Sequence, residues 1–230
     1  MTEFVDGPVP EGLTPELVRE RHQSVLDRIE AAGGDPARIS VLAVTKAFGI
    51  RVAELAVEAG FTALGENYAQ ELEAKARAES PTLAPVEWHF IGRLQRNKVK
   101  KLAGIVGVWE SVDRESLVDE IARRDPGARI LIQVNTEDGE GKGGCPIRLA
   151  PALVAHAVDL GLDVRGLMTV GPTDQTIDPT PGFRAVAALA DDLGLEERSM
   201  GMTADLEQAV AAGTTVIRVG RGLFGPRQNR

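Results

Sequence analysis
The chain has 230 residues, 43% hydrophobic and 26% charged, the composition of one globular domain able to bury roughly 70% of its unfolded surface. A net charge of −8 and a pI near 5.0 argue against a surface built for nucleic acid or an anionic membrane. One cysteine, Cys145, excludes an intramolecular disulfide and a cysteine-based metal site, and no apolar run approaches the roughly 20 residues of a membrane span.

The N-terminus is acidic and has no apolar stretch, so no secretory signal and a cytoplasmic location are expected. Residues 1–13, rich in Pro, Gly and acid, are expected to be a flexible arm, with residues 14–230 forming one domain. Thr14, Pro15 and Glu16 read as the N-cap and first turn of a helix that runs to Gly33-Gly34. Beyond it, β-rich apolar runs occur at 41–45, 62–64, 88–91, 106–109, 129–134, 164–168, around Ser199 and at 215–219. Helical stripes lie between them. One is Leu117, Val118, Ile121 and Ala122, with Asp113 as expected N-cap; another is Leu206, Ala209, Val210 and Gly213. Gly60, Gly104, Gly161, Gly194 and Gly213 close helices. Eight strands alternating with helices predict a single α/β domain, a (β/α)8 TIM-type barrel with an extra N-terminal helix. An open doubly wound sheet is the alternative, but no G-x-G-x-x-G turn follows the first strand.

A barrel carries its site at the carboxyl ends of its strands, which here are Lys46, Asn67, His89, Ser111, Asn135, Met168, Ser199 and Arg218. Lys46 is either a strand-end lysine snorkelling to water or a desolvated amine able to attack an aldehyde. The run Val216–Gly222 breaks a strand into glycines and so offers backbone N–H groups to an anion. Ser199, Gly201 and Thr203 supply a hydroxyl and a close approach beside it. Arg218, inside an apolar strand, either pairs with a buried carboxylate such as Glu66 or donates to a ring nitrogen of a cofactor. Asn67 either caps a helix or reaches a ring hydroxyl, and His89 reads as a hydrogen-bonded interior residue. Arg93, Arg96, Lys98, Lys100 and Lys101 read as a solvated helix face. Cys145 lies in a glycine-rich stretch that suggests exposure, and Lys142 in a mobile loop.

Several stretches together resemble one family. They are Ala-Val-Thr-Lys46, Leu-Gly-Glu-Asn67-Tyr-Ala-Gln-Glu, the segment Trp88 to Lys98, Ser-Val-Asp113, Ile-Gln-Val-Asn135, Arg-Gly-Leu-Met168, Ser199-Met-Gly-Met-Thr-Ala-Asp205 and Arg218-Val-Gly220. In this order they resemble the pyridoxal phosphate homeostasis proteins, whose barrel is similar to the N-terminal domain of alanine racemase. The resemblance implies pyridoxal 5′-phosphate as cofactor, carried as a Schiff base on Lys46. It implies Arg218 at the pyridine nitrogen, Asn67 near the ring, and Ser199, Gly220 and Arg221 on the phosphate, with Met168 and Gly201 in the same matched stretches. Arg198 stands where the family has leucine and Thr203 where it has serine. The glycines around Lys142 replace serine and weaken a covering role for that loop. The chain ends directly after the barrel, without the racemase domain that supplies an opposing tyrosine, so a carrier that buffers the cofactor is expected rather than an enzyme. A weak racemase is the alternative. Expected partners are the cofactor and the apo-enzymes that use it, with no nucleic acid, no membrane and a monomeric state.

Overall fold
The apolar runs become strands that close on themselves in a computed structural model, which describes residues 7, 9–137, 143–174 and 176–226. The strands are β1 (Ser40–Val44), β2 (Ala63–Glu66), β3 (Glu87–Phe90), β4 (Val106–Val112), β5 (Arg129–Asn135), β6 (Cys145–Pro146), β7 (Asp163–Met168), β8 (Glu197–Ser199) and β9 (Val216–Val219). All pair in parallel, in the order β4-β3-β2-β1-β9-β8-β7-β5. A further pairing of β4 with β5, Trp109 opposite Ile130, closes the ring and excludes the open sheet. The two-residue β6 pairs only with β5, so eight strands form the barrel.

Helices cover the outside: α1 (Pro15–Ala31), α2 (Ile50–Glu58), α3 (Ala69–Ala76), α4 (Arg96–Leu102), α5 (Glu115–Arg124), α6 (Ala150–Asp159), α7 (Thr180–Asp192), α8 (Leu206–Ala211) and α9 (Arg221–Phe224). α1 precedes β1 and packs against α2, α8 and α9. Thr14 caps it as expected, its hydroxyl accepting from the Leu17 N–H at 3.2 Å, with Pro15 at the first position. Gly33, Gly60, Gly104, Gly161, Gly194 and Gly213 all have positive φ, which glycine adopts without strain where a helix must stop.

Strand alternation separates two interiors. Ala43, Leu64, Phe90, Trp109, Ile132 and Ile217 face the helices within one continuous apolar core, where burying a leucine or isoleucine contributes about 2 kcal/mol. The other face lines the lumen, whose separate apolar cluster is only Val108, Leu131 and Met168. Leu42 and Val44 face the lumen as well, beside the polar Glu87, His89, Glu110, Ser199 and Arg218.

Two local expectations are corrected. Arg114, not Asp113, occupies the N-cap of α5; Asp113 instead pairs with Arg114 and accepts from the Gly144 N–H at 3.3 Å. Cys145 is 5% exposed, because its pairing with Val134 tucks it under the end of β5. Burial, then the nearby Asp113 charge, pushes its thiol up to about 11, so it is not a poised nucleophile.

Candidate functional site
The chain turns sharply where β1 ends. Lys46 is half-buried, and Ala47, which follows it, sits in the left-handed region at φ 64°. That conformation costs a residue with a Cβ about 1–2 kcal/mol. The Ala47 N–H donates to Glu71 Oε2 at 2.7 Å, a charge-assisted bond that offsets the strain. Thr45, just before Lys46, is clamped as well. Its N–H donates to the Gly65 carbonyl at 3.0 Å, its hydroxyl donates to Glu66 Oε1 at 2.6 Å, and its carbonyl accepts from Lys75 Nζ at 2.8 Å. Lys75 and Glu66 form an ion pair with both side chains fully buried between the sheet and α3. Burial pushes the Glu66 carboxyl above the usual carboxylate range, against the pull of the Lys75 ammonium. Lys46 therefore leaves a backbone fixed on both sides.

A cleft of about 610 Å³ opens at this end of the barrel. Lys46, Asn67, Arg218, Gly220 and Arg221 line it, with Val44, Ile91, Val170, Met202, Thr203, Ala204 and Pro226. Five of the eight expected site residues thus converge. Met168, Ser199 and Gly201 do not line it. Met168 fills the lumen cluster, and Ser199 is fully buried with its hydroxyl donating to Glu110 Oε2 at 2.6 Å. Gly201 is a structural glycine: φ is 89° and a Cβ would lie 2.4 Å from that of Ala209.

The cleft suits an aromatic phosphate in several respects. Asn67 Oδ1 is buried without a hydrogen-bond partner, as an acceptor awaiting a donor would be. At Gly220 a Cβ would come within 3.1 Å of the Val44 carbonyl, so the backbone passes closely under the cleft. α9 opens directly after it: the Leu223 and Phe224 N–H groups donate to the Gly220 carbonyl at 3.0 Å, while those of Arg221 and Gly222 precede the first helical bond. Asn67 does not cap α3, whose N-cap is Tyr68. Its backbone makes the wall instead. A Cβ on Gly92 would lie 2.0 Å from the Asn67 carbonyl oxygen, so only glycine lets the two strand exits touch.

Arg218 is 4% exposed, and its partner is not Glu66, which faces outward to α3. Nη1 donates to the Ser199 carbonyl at 2.6 Å and its hydroxyl at 2.7 Å, and Nη2 donates to the Thr169 carbonyl at 2.7 Å. Three of the five guanidinium N–H groups are so engaged, which leaves donors for a ring nitrogen. The counter-charge is Glu110, reached through Ser199. Burial pulls the Arg218 pKa down while Glu110 raises it, but a guanidinium this basic stays charged. Glu110 also accepts from His89 Nδ1 at 2.6 Å. Burial disfavours the imidazolium, but Glu110 and Glu87 outweigh it and raise the His89 pKa to about 9. Glu110 itself is held down: burial opposes ionisation, and His89 with Arg218 overcome it. Below, the His89 bond and then Arg129 depress Glu87 to about 2, with burial opposing. Charges alternate along the lumen from Arg129 through Glu87, His89 and Glu110 to Arg218.

Sequence reasoning found neither Glu110 nor the brace of Glu66, Glu71 and Lys75. The signal for Glu110 was a carboxylate straight after Trp109 in an apolar strand. Lys142 lies outside the described residues. Among the described residues, no group of three His, Cys, Asp or Glu side chains forms a metal site, and no helix is long and apolar enough to cross a membrane.

Residues 26–228 match the family model described as alanine racemase, N-terminal domain. The chain is 38% identical over 197 residues to the pyridoxal phosphate homeostasis protein of Deinococcus radiodurans, covering 84% of this chain and 92% of the relative. Among solved structures it is similar to an unknown protein from Bifidobacterium adolescentis, with TM-score 0.85 and 31% identity over 96% of this chain and 99% of that one. It is also similar to PipY of Synechococcus elongatus PCC7942 with PLP bound, with TM-score 0.77 and 29% identity over 90% of this chain and 100% of that one.

Proposed function
This chain belongs to the pyridoxal phosphate homeostasis proteins, within the alanine racemase N-terminal domain family, and on that premise we propose that it binds pyridoxal 5′-phosphate as a Schiff base on Lys46 and holds it for release rather than turnover. When bound, that group supplies an aldehyde carbon that condenses reversibly with an amine. The braced turn at Thr45 and Ala47 presents the Lys46 amine to the cleft. Gly220 and Arg221 receive the phosphate through backbone N–H groups, Asn67 Oδ1 accepts from the ring hydroxyl, and the remaining Arg218 donors face the ring nitrogen. Ser199 acts from below, by fixing Arg218.

The observation that carries this reading is the convergence of Lys46, Asn67, Arg218, Gly220 and Arg221 on one cleft. Its described walls hold no Asp, Glu, His, Cys or Tyr side chain to serve as a second acid/base across from Lys46, which supports a carrier over a racemase. Transfer to apo-enzymes in the cytoplasm, by a monomer, completes the proposal.

The test is borohydride reduction of the cofactor-loaded protein, followed by mass mapping. We expect one label per chain on Lys46, and Lys46→Ala should lose both the label and the near-visible absorption band. Label on another lysine, or a band that survives in Lys46→Ala, would sink the assignment. Sustained exchange of L- and D-alanine by the purified protein would replace the carrier with the racemase.

A further inference from the structure
A second cleft, of about 800 Å³, lies beside the first at the same end of the barrel. It is built from the exits of β2, β3 and β4, whereas the Lys46 cleft is built largely from those of β1 and β9. Both share Asn67 as a wall. Phe90 and Leu94 form an apolar floor, Gln70 and Gln95 supply amides, and the Tyr68 ring, 54% exposed, stands at the rim.

Its charge is unusual for this molecule. Arg93, Lys98, Arg114 and Asp113 line it, and Asp113 is matched by Arg114, which also donates to the Leu94 carbonyl at 2.8 Å. Arg93 and Lys98 have no side-chain hydrogen bond or ion pair to any described residue, although nearby Arg96 and Lys101 lie within 4 Å of Glu120 and Glu73. A chain of net charge −8 thus leaves two unmatched cations in one concave wall, at the end of the barrel where ligands bind.

We propose that this cleft is a second, non-covalent site for a small phosphate monoester, adjacent to the molecule tethered on Lys46. Two cations without internal partners suit a dianion. A single carboxylate is satisfied by one guanidinium. The exposed Tyr68 ring offers a face on which a flat ligand stacks. The site deepens the proposed function, since it would hold a second phosphate ligand across Asn67 from the Lys46 cleft. It rests on that reading for its purpose but not for its binding chemistry.

The experiment uses the full chain loaded with cofactor and reduced by borohydride, so that the Lys46 cleft is blocked. Pyridoxamine 5′-phosphate, which has no aldehyde to tether, is titrated in by calorimetry, with inorganic phosphate and acetate in parallel arms. We expect one saturable equivalent of the ester, competition by phosphate, and acetate weaker by about tenfold or more. The Arg93→Ala/Lys98→Ala variant should weaken the ester by about tenfold or more with unchanged label at Lys46 and a nearly unchanged melting temperature, since Arg93 is exposed, Lys98 only half-buried, and neither side chain bonds a described residue. No saturable binding, or binding untouched by the double variant, overturns the site; acetate binding as tightly overturns the phosphate assignment. Failure to label Lys46 overturns the tether instead, and titration of the untreated chain then decides the second cleft alone.

Discussion
The lumen and the layer between sheet and helices are both buried, yet they are built by opposite rules. The outer layer is a continuous apolar core with one fully buried ion pair, Glu66–Lys75, at its edge. The lumen has three clustered apolar side chains and a column of alternating charges. A single pair in a hydrophobic layer, here with Thr45 and the nearby Glu71 beside it, recovers little beyond its desolvation cost, whereas a charge in a column is shared between neighbours above and below. The outer layer therefore makes the fold stable. The lumen carries the position of Arg218, and through it the floor of the cleft.

The largest break in that contrast is Glu110→Leu, which removes the buried anion between His89 and Arg218 and leaves His89 with Glu87 alone. We expect a loss of about 3–5 kcal/mol in urea unfolding. A loss below about 1 kcal/mol would mean that the column is not coupled. Smaller, and opposite in lesson, is the outer pair. Lys75→Met alone should be destabilising, but the Glu66→Leu/Lys75→Met double variant should come within about 1 kcal/mol of the parent or exceed it, since a buried pair is replaceable by apolar groups of similar volume. A double variant as unstable as the single would show that the pair holds the strand end in place and is not dispensable.

The gentlest test is pH. His89 has a folded pKa of about 9 against an ordinary 6.5, so its contribution is complete below 6.5 and is lost as pH rises toward 9. Glu87, depressed to about 2 from 4.5, contributes above 4.5 and loses that contribution as pH falls toward 2. Stability from this column is greatest between 4.5 and 6.5. His89→Gln should flatten the decline between 6.5 and 9 in melts run across that range, and an unchanged slope would detach His89 from the column.

The same division explains what was readable from the sequence. Strands facing the outer layer announce themselves: Ala43, Leu64 and Ile132 sit in apolar runs, and the eight strands appear within a few residues of where those runs predict them. The lumen side is harder. β4 continues through Glu110 and Ser111 to Val112, past the apolar run that ends at Trp109, because two polar residues interrupt the apolar signal. Glu66 was one alternative partner for Arg218, a charge inside an apolar strand. Strand parity forbids it, since Gly65 faces the lumen opposite His89 and Glu66 faces α3. Lys75 was legible in principle, three residues after Leu72 on the inward stripe of α3. Lys46 and Gly220, picked from a strand end and a glycine turn that local sequence alone marks, both line the one cleft. Ser199 was assigned to the phosphate, and its engagement with Glu110 depends on a strand 89 residues away.

The contact between Gly92 and the Asn67 carbonyl has one more consequence. The two clefts are divided by a party wall of touching main chain, with no side chain to spare in it. Substitution can repaint either room but cannot move the wall, because any Cβ at position 92 must force the two strand exits apart. Among the described lining residues Asn67 is common to both compartments, so a substitution there is felt on either side of the partition.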